Sequence, residues 1–257
     1  MTHQILAVDC GNTQIKLGVF QDEALVANFR LATDPQKTSD EYAVLIRSLL
    51  AGDHLAPSRF SGSILASVVP PVQPLLERAL EKVLGRPCQS VTPLTKTGLR
   101  LEVVNPAEVG ADLICLAVGA VRGFPLPAII VSFGTATAFL AVNREPALVG
   151  AAIAPGILTA ARSLSSSAAK LPQIDLAPPR SALGRDTIEA MRAGLIFGFA
   201  GLVERIVSEM AREMGDHPHV IATGGLLNLI SQTTKVFDHY EPFLSLQGLR
   251  HLWSGPA

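Results

Sequence analysis

Cysteine is scarce in this chain of 257 residues. The three present, Cys10, Cys88 and Cys115, are too few and too scattered for a disulfide framework and lack metal-ligand spacing, so buried thiols in a reducing cytoplasm are expected. Cys10 has no histidine near it in sequence, which argues against a catalytic thiol. Basic runs are also missing. The 21 Lys and Arg stand against 22 Asp and Glu, giving a formal net charge of -1 and a pI near 6.6, and this disfavours nucleic acid as a partner. The most apolar window, Ala193 to Val203, is flanked by Arg192 and Glu204 and falls short of the roughly 20 residues that span a bilayer. The N-terminus lacks the basic segment and long apolar run of a signal peptide. A cytoplasmic protein with no membrane partner is therefore expected. What the chain does have is apolar content, 48% of its residues, with a mean hydropathy of +0.35. That is enough for one large or two compact domains, and it hints at an extra buried surface, most simply a homodimer interface.

The stretch from Ala7 to Gly18 organises the rest. An apolar run leads into Asp9, then Cys10-Gly11-Asn12-Thr13, then a second apolar run, which reads as a β-hairpin with a polar bend. Such a bend suits phosphate: Gly11 lets backbone approach an anion, Thr13 and the backbone N–H groups can donate, Lys16 adds positive charge and Asp9 can hold Mg²⁺. An ordinary Asn-containing hairpin turn would look the same in isolation. The design recurs, however. Ile130-Val131-Ser132-Phe133-Gly134-Thr135-Ala136-Thr137 repeats strand, short polar residue, glycine and threonine, with Ser132 standing 123 positions after Asp9. A third turn, Thr223-Gly224-Gly225, follows an apolar strand and opens a helical pattern, which would place N–H groups at a helix N-terminus. Two strand-bend-strand loops and a late Gly-Gly loop suggest a duplicated α/β fold closing on a nucleotide.

Taken in order, residues 4–9, 15–20 and 24–31 read as strands. Thr38 and Glu41 have capping-box spacing before a helix, 63–69 is a strand, and a helix ends at Gly85 before a short strand at 87–91. Residues 97–104 read as an extended connection, and a helix is expected from Asn105 towards Val121. Asp112 lies on it among apolar neighbours. It is either a general base for a substrate hydroxyl attacking a γ-phosphate or simply an acid favoured by the helix dipole. In the second half, strands are expected at 128–132, 136–142 and 147–150, then a turn at Ala154-Pro155-Gly156 and a helix to Ala169. A Pro-rich loop over 171–184, a long helix capped at Asp186-Thr187, a strand to Ala222, a helix from Leu226 and a strand at 236–240 follow. Gly194, Gly198 and Gly201 on the long helix are expected to serve close packing and not ligand contact.

These residues resemble the type III pantothenate kinases of the sugar-kinase/actin/hexokinase superfamily, along nearly the whole chain. Asp9-Cys10-Gly11-Asn12-Thr13 with Lys16 looks like the family's first phosphate motif. Asn105-Pro106 with Glu108-Val109-Gly110-Ala111-Asp112 looks like its substrate and catalytic motif, and Gly134-Thr135-Ala136-Thr137 like its second nucleotide motif. Ile153-Ala154-Pro155-Gly156, Asp186-Thr187, Thr223-Gly224-Gly225 and the ending Phe243 to Leu249 look like later signatures. The resemblance implies two RNase H-like, actin-like ATPase halves, residues 1–120 and 121–257. Each would carry a mixed sheet flanked by helices, with the nucleotide cleft between them. It implies ATP-dependent phosphorylation of pantothenate, the first step towards coenzyme A, in a homodimer with the acceptor site at its interface. By position, Asp112 would be the base and Asp9 would serve Mg²⁺. Gly11, Asn12, Thr13, Lys16, Gly134, Thr135, Gly224 and Gly225 would bind the nucleotide, and Gly110, Ala111 and Thr187 the acceptor.

The chain departs from that pattern on the acceptor and cation sides. Leu113 stands where the family has Arg, and Val103 where a substrate-lining Tyr is expected. Ser132 replaces an Asp that binds a monovalent cation (K⁺ or NH₄⁺), and Leu140 replaces a later Asp. Three functional readings follow: a working pantothenate kinase with compensating acceptor contacts, a kinase-fold nucleotide-binding or regulatory protein, and a kinase for another small hydroxyl compound.

Overall fold

The computed structural model describes residues 4–92 and 94–253. Its contacts divide the chain into two compact units, one made of Met1–Leu99, Val104–Arg122 and Leu244–Ala257, the other of Arg100–Val103 and Gly123–Phe243.

The first unit is built on a five-stranded sheet. β1 (Gln4–Cys10), β2 (Gln14–Gln21) and β3 (Ala24–Ala32) form an antiparallel meander, while β4 (Phe60–Ser67) lies parallel to β1 and β5 (Cys88–Ser90) parallel to β4. The order is β3-β2-β1-β4-β5, so β1 is central, and every one of its residues is buried. Central placement explains its unbroken apolar run. α1 (Ser39–Gly52) starts at the expected capping box: the Glu41 amide donates to Thr38 Oγ1 at 3.3 Å and the Thr38 amide to Glu41 Oε2 at 2.7 Å. α2 (Gln73–Leu84) stops where Gly85 turns left-handed at φ 67°. Tyr42, Ile46, Leu50, Leu76, Leu80 and Val83 from these helices pack with Leu6, Val8, Leu17 and Val19 of the sheet in one apolar core.

Between Leu101 and α3 (Ala111–Gly123) the chain differs from expectation. Pro106–Glu108 is a single 3₁₀ turn, closed by Asn105 Nδ2 donating to Glu108 Oε1 at 2.7 Å, and Val109 is extended. The helix therefore begins at Ala111 and not at Asn105. This later start puts Asp112 in the first turn.

The second unit repeats the first unit's plan. β7 (Ala128–Phe133), β8 (Ala136–Val142) and β9 (Ala147–Pro155) form the meander, β10 (His219–Gly224) runs parallel to β7, and β11 (His239–Tyr240) parallel to β10. β6 (Arg100–Leu101) is added at the far edge beside β9. The order β11-β10-β7-β8-β9-β6 thus contains the first sheet's order read from its other edge. Asp9 and Ser132 occupy equivalent places, each the last but one residue of its sheet's central strand.

One expectation fails here. Ala154-Pro155 is the end of β9 and not a turn, because Ala152 to Pro155 continue to pair with Phe139 to Ala136 of β8, and Pro155 lies beyond the short β6 pairing where no amide is needed. His219 opens β10, and its ring lies tilted against that of His239 with centroids 5.7 Å apart. α4 (Ile157–Ser167), α5 (Thr187–Met214) and the one-turn α6 (Leu227–Ile230) complete the unit. Ile157, Ala161, Leu195, Ile196, Phe199 and Val203 from α4 and α5 cover the sheet residues Ile129, Val131, Phe139 and Ala222. The cap is as expected, with Asp186 Oδ1 accepting from the Glu189 amide at 2.9 Å.

The chain then returns to the first unit as α7 (Leu244–Leu252), which packs on β1, β2 and β4. By contacts the chain passes from the first unit to the second between Arg122 and Gly123 and returns with α7. Its apolar face, Leu244, Leu246, Leu249 and Leu252, is buried in the first unit.

Candidate active site

Asp9 is 5% exposed at the end of β1, opposite Lys16 on β2. A lone carboxylate at that depth would be costly, and two donors offset the cost: Lys16 Nζ at 3.1 Å and Ser245 Oγ at 2.7 Å, both on Oδ2. Oδ1 lies outside both bonds. The bend that follows is closed by the Gly11 amide on Gln14 O at 3.0 Å, and it is held from β3's end by Thr33 Oγ1 on Gly11 O at 2.7 Å. Asn12 and Thr13 are exposed on it. Among the described residues no group of three or more His, Cys, Asp or Glu side chains forms a metal cage. Mg²⁺ does not need one: it takes one or two carboxylates, keeps waters and shares substrate phosphates. The donor set at Asp9 fits that ion.

Asp112 lies in the first turn of α3. Its carboxyl is pushed up, first by burial and then by the negative charge of Asp9, with the Leu113 amide, donating to Oδ1 at 2.8 Å, and Lys16 pulling the other way. The geometry is tight. A Cβ on Gly110 would lie 2.6 Å from Asp112 Oδ1 and 3.5 Å from Val68 Cγ1, so only glycine leaves that carboxylate where it is. Cys10 and Cys115 are buried beside these acids with thiols pushed up by burial, which makes them inert packing groups as expected.

In the second unit the repeated bend is closed by the Gly134 amide on Ala136 O at 3.0 Å, with Gly134 and Thr135 exposed. Thr135 O accepts from the Gly156 amide at 3.1 Å and from Thr159 Oγ1 at 2.7 Å, which ties the bend to the start of α4. Gly224 ends β10 at φ 105°, and a Cβ there would strike Phe133 O, so the Gly-Gly loop is drawn against the second bend. Gly225 beside it is exposed. The helix that follows is a single turn, so any anion contact here comes from loop amides and not, as expected, from a helix terminus. The first bend's charge pair has no counterpart: Ser132, half-buried, faces Ala138 across the ladder where Asp9 faces Lys16.

The acceptor residues expected from sequence are distributed between the units. Gly110, Ala111 and Leu113 adjoin Asp112 in the first, with Leu113 half-buried. Val103 ends the short segment that belongs to the second, as does Thr187 at the start of α5. Thr187 lines an open concavity of about 600 Å³ with Lys170, Pro172, Asp186, Glu189 and Arg192. Ser245 lies in the ending Phe243 to Leu249 that resembles a family signature, and no separate role is read for it from the sequence.

A sequence-family model described as type III pantothenate kinase matches residues 5–209. A curated protein named type III pantothenate kinase, from Bacillus cytotoxicus, is 45% identical over 253 residues, covering 98% of this chain and 97% of its own. Among solved structures, the ethanolamine utilization protein EutJ from Carboxydothermus hydrogenoformans aligns with a TM-score of 0.59 at 16% identity, covering 96% of this chain and 89% of its own. The activator of the 2-hydroxyisocaproyl-CoA dehydratase from Clostridium difficile, with bound ADPNP, aligns at 0.55 and 11%, covering 96% and 93%. These likenesses show the fold, that of the actin-like ATPases.

Proposed function

The chain belongs to the type III pantothenate kinases, and from that premise we propose that Asp112 takes the proton of the attacking hydroxyl while Asp9 holds Mg²⁺. The reaction is the ATP-dependent phosphorylation of pantothenate to 4′-phosphopantothenate in coenzyme A biosynthesis. In-line phosphoryl transfer asks for positioned phosphates, charge neutralisation and one base. When bound, Mg²⁺ supplies charge neutralisation at the phosphate oxygens. The chain's own residues do the rest. In the first unit the bend at Gly11–Thr13 suits phosphate and Lys16 adds positive charge; in the second the bend at Gly134–Thr135 and the loop at Gly224-Gly225 are the segments the family resemblance gives to the nucleotide; and Asp112 is read as the group that accepts the acceptor's proton.

The observation that carries this reading is the upward push on Asp112. A base is most useful when its pKa approaches the operating pH, and burial beside a second carboxylate moves it that way. Since Asp112 accepts a proton only when ionised, kcat/KM should rise with pH along an acid limb lying above the ordinary carboxylate range. A limb at or below that range would remove Asp112 from the base's role.

The assembly is proposed to be a homodimer formed on the outer face of α5. Ala190, Gly194, Phe197, Gly198 and Gly201 are exposed there on one side of the helix, and a Cβ on any of the three glycines would meet nothing within 4 Å. The expectation that these glycines serve packing is therefore not met inside the chain itself. A second copy's helix would fill that side and bring Thr187 to the interface. Light scattering should give twice the 27.1 kDa chain mass, and a particle of one chain would sink the proposal. Ser132 offers a hydroxyl but no charge where the resemblance expects a cation-binding carboxylate, so we read the need for K⁺ or NH₄⁺ as weakened.

A further inference from the structure

The C-terminal helix contributes to the reaction's geometry: we propose that Ser245 on α7 is a positioning residue that orients the Asp9 carboxylate for the divalent cation. This rests on the reading of Asp9 as the Mg²⁺ carboxylate.

Ser245 is 4% exposed, and its hydroxyl donates to Asp9 Oδ2 at 2.7 Å across 236 residues of sequence. Packing does not call for a hydroxyl there. Its neighbours Leu244, Leu246 and Leu249 are buried apolar side chains, and alanine would fill the same space without a polar group to satisfy. What the hydroxyl adds is a second donor on one carboxylate oxygen. A carboxylate's last torsion is soft, so Lys16 alone, whose side chain is 31% exposed, leaves the plane of Asp9 free to swing. Two donors on Oδ2 restrain that plane, with Oδ1 outside both bonds.

The helix is seated without slack. A Cβ on Gly248 would collide with the Cys115 carbonyl of α3, and one on Gly119 would lie 2.5 Å from Leu244 O, so the α3 and α7 backbones touch through two glycines. At its far end Leu252 O accepts from Gln89 Nε2 at 3.1 Å, and Arg250 Nε donates to Asp22 O at 2.5 Å. The Trp253 ring stands 2.5 Å from where a Gly62 Cβ would be. The helix that holds Asp9 thereby also braces α3, whose first turn carries Asp112.

The test is Mn²⁺ binding to the full chain loaded with ADP, read by electron paramagnetic resonance as loss of the free-ion signal. It is paired with the free Mg²⁺ needed for half-maximal turnover. Ser245→Ala should weaken Mn²⁺ binding by about fivefold, the size of one net hydrogen bond, and raise the Mg²⁺ requirement similarly while KM for pantothenate holds. Leu249→Ala, which loosens α7 but keeps the hydroxyl, should lower thermal stability and leave Mn²⁺ binding unchanged. If Ser245→Ala does not fold, Ser245→Cys, close in size with a weaker donor, carries the same comparison. Parent-like Mn²⁺ affinity in the Ser245 variant, or equal weakening in Leu249→Ala, overturns the proposal. Asp9→Asn separates the two layers: if it binds Mn²⁺ as the parent does, the reading of Asp9 itself has failed.

Discussion

Replacing Asp112 with Asn is expected to lower kcat for pantothenate phosphorylation by about 10²- to 10⁴-fold, the usual contribution of a positioned base, and to make the protein more stable at pH 7. The two effects share one cause. Burial and the Asp9 charge hold the Asp112 carboxyl above its ordinary value, so the folded protein binds that proton more tightly than the unfolded chain does. The stabilisation from this group is fully present below the unfolded carboxyl's pKa and is lost as pH rises through the folded one. At neutral pH the ionised carboxylate is therefore a cost, which a neutral amide of the same shape removes. Thermal melts of parent and variant should coincide in acid and separate towards neutrality, with the variant higher. Retained turnover, or a variant less stable than the parent at pH 7, would contradict the assignment.

Leu113→Arg is expected to lower KM for pantothenate by about tenfold or more with kcat little changed. Leu113 follows Asp112, the proposed base, in the first turn of α3 and is half-buried. Pantothenate carries a carboxylate, and a planar guanidinium offers it two parallel hydrogen bonds, each worth about 1.5–3 kcal/mol when the partner is charged. Adjacent residues on a helix do not face each other, so the new cation should not be captured by Asp112. Steady-state kinetics over a range of pantothenate concentrations decides the matter. An unchanged KM would mean that Leu113 does not line the acceptor site.

How much of this was legible in the sequence depends on whether the signal was local. The β1–β2 hairpin and its echo at β7–β8 were legible because apolar strands and a glycine bend lie within a dozen residues, and Asp9 and Ser132 do occupy equivalent places in the two sheets. The capping box at Thr38 and the stop at Gly85 were local too. Misreadings arose where a partner distant in sequence decides the outcome. Pro155 looks like a turn residue until β8 pairs with it, and Asn105 looks like a helix start until its side chain closes a 3₁₀ turn on Glu108. Asp112 could be named as a candidate base, but not its upward shift, which needs burial and Asp9 beside it. Ser245 lies within the Phe243 to Leu249 signature, but its hydrogen bond to Asp9 at the other end of the chain has no local signal.

The central claim, that this chain phosphorylates pantothenate although its acceptor and cation sides depart from the family pattern, is tested most directly by one assay. The purified protein is incubated with ATP, Mg²⁺ and pantothenate, with and without K⁺ or NH₄⁺, and 4′-phosphopantothenate is measured by ³¹P NMR with the Asp112→Asn variant as blank. The account predicts product well above the blank, formed with or without the monovalent cation. No product from protein that is folded and binds ATP would contradict it, and would identify the chain as a nucleotide-binding relative that has lost this reaction.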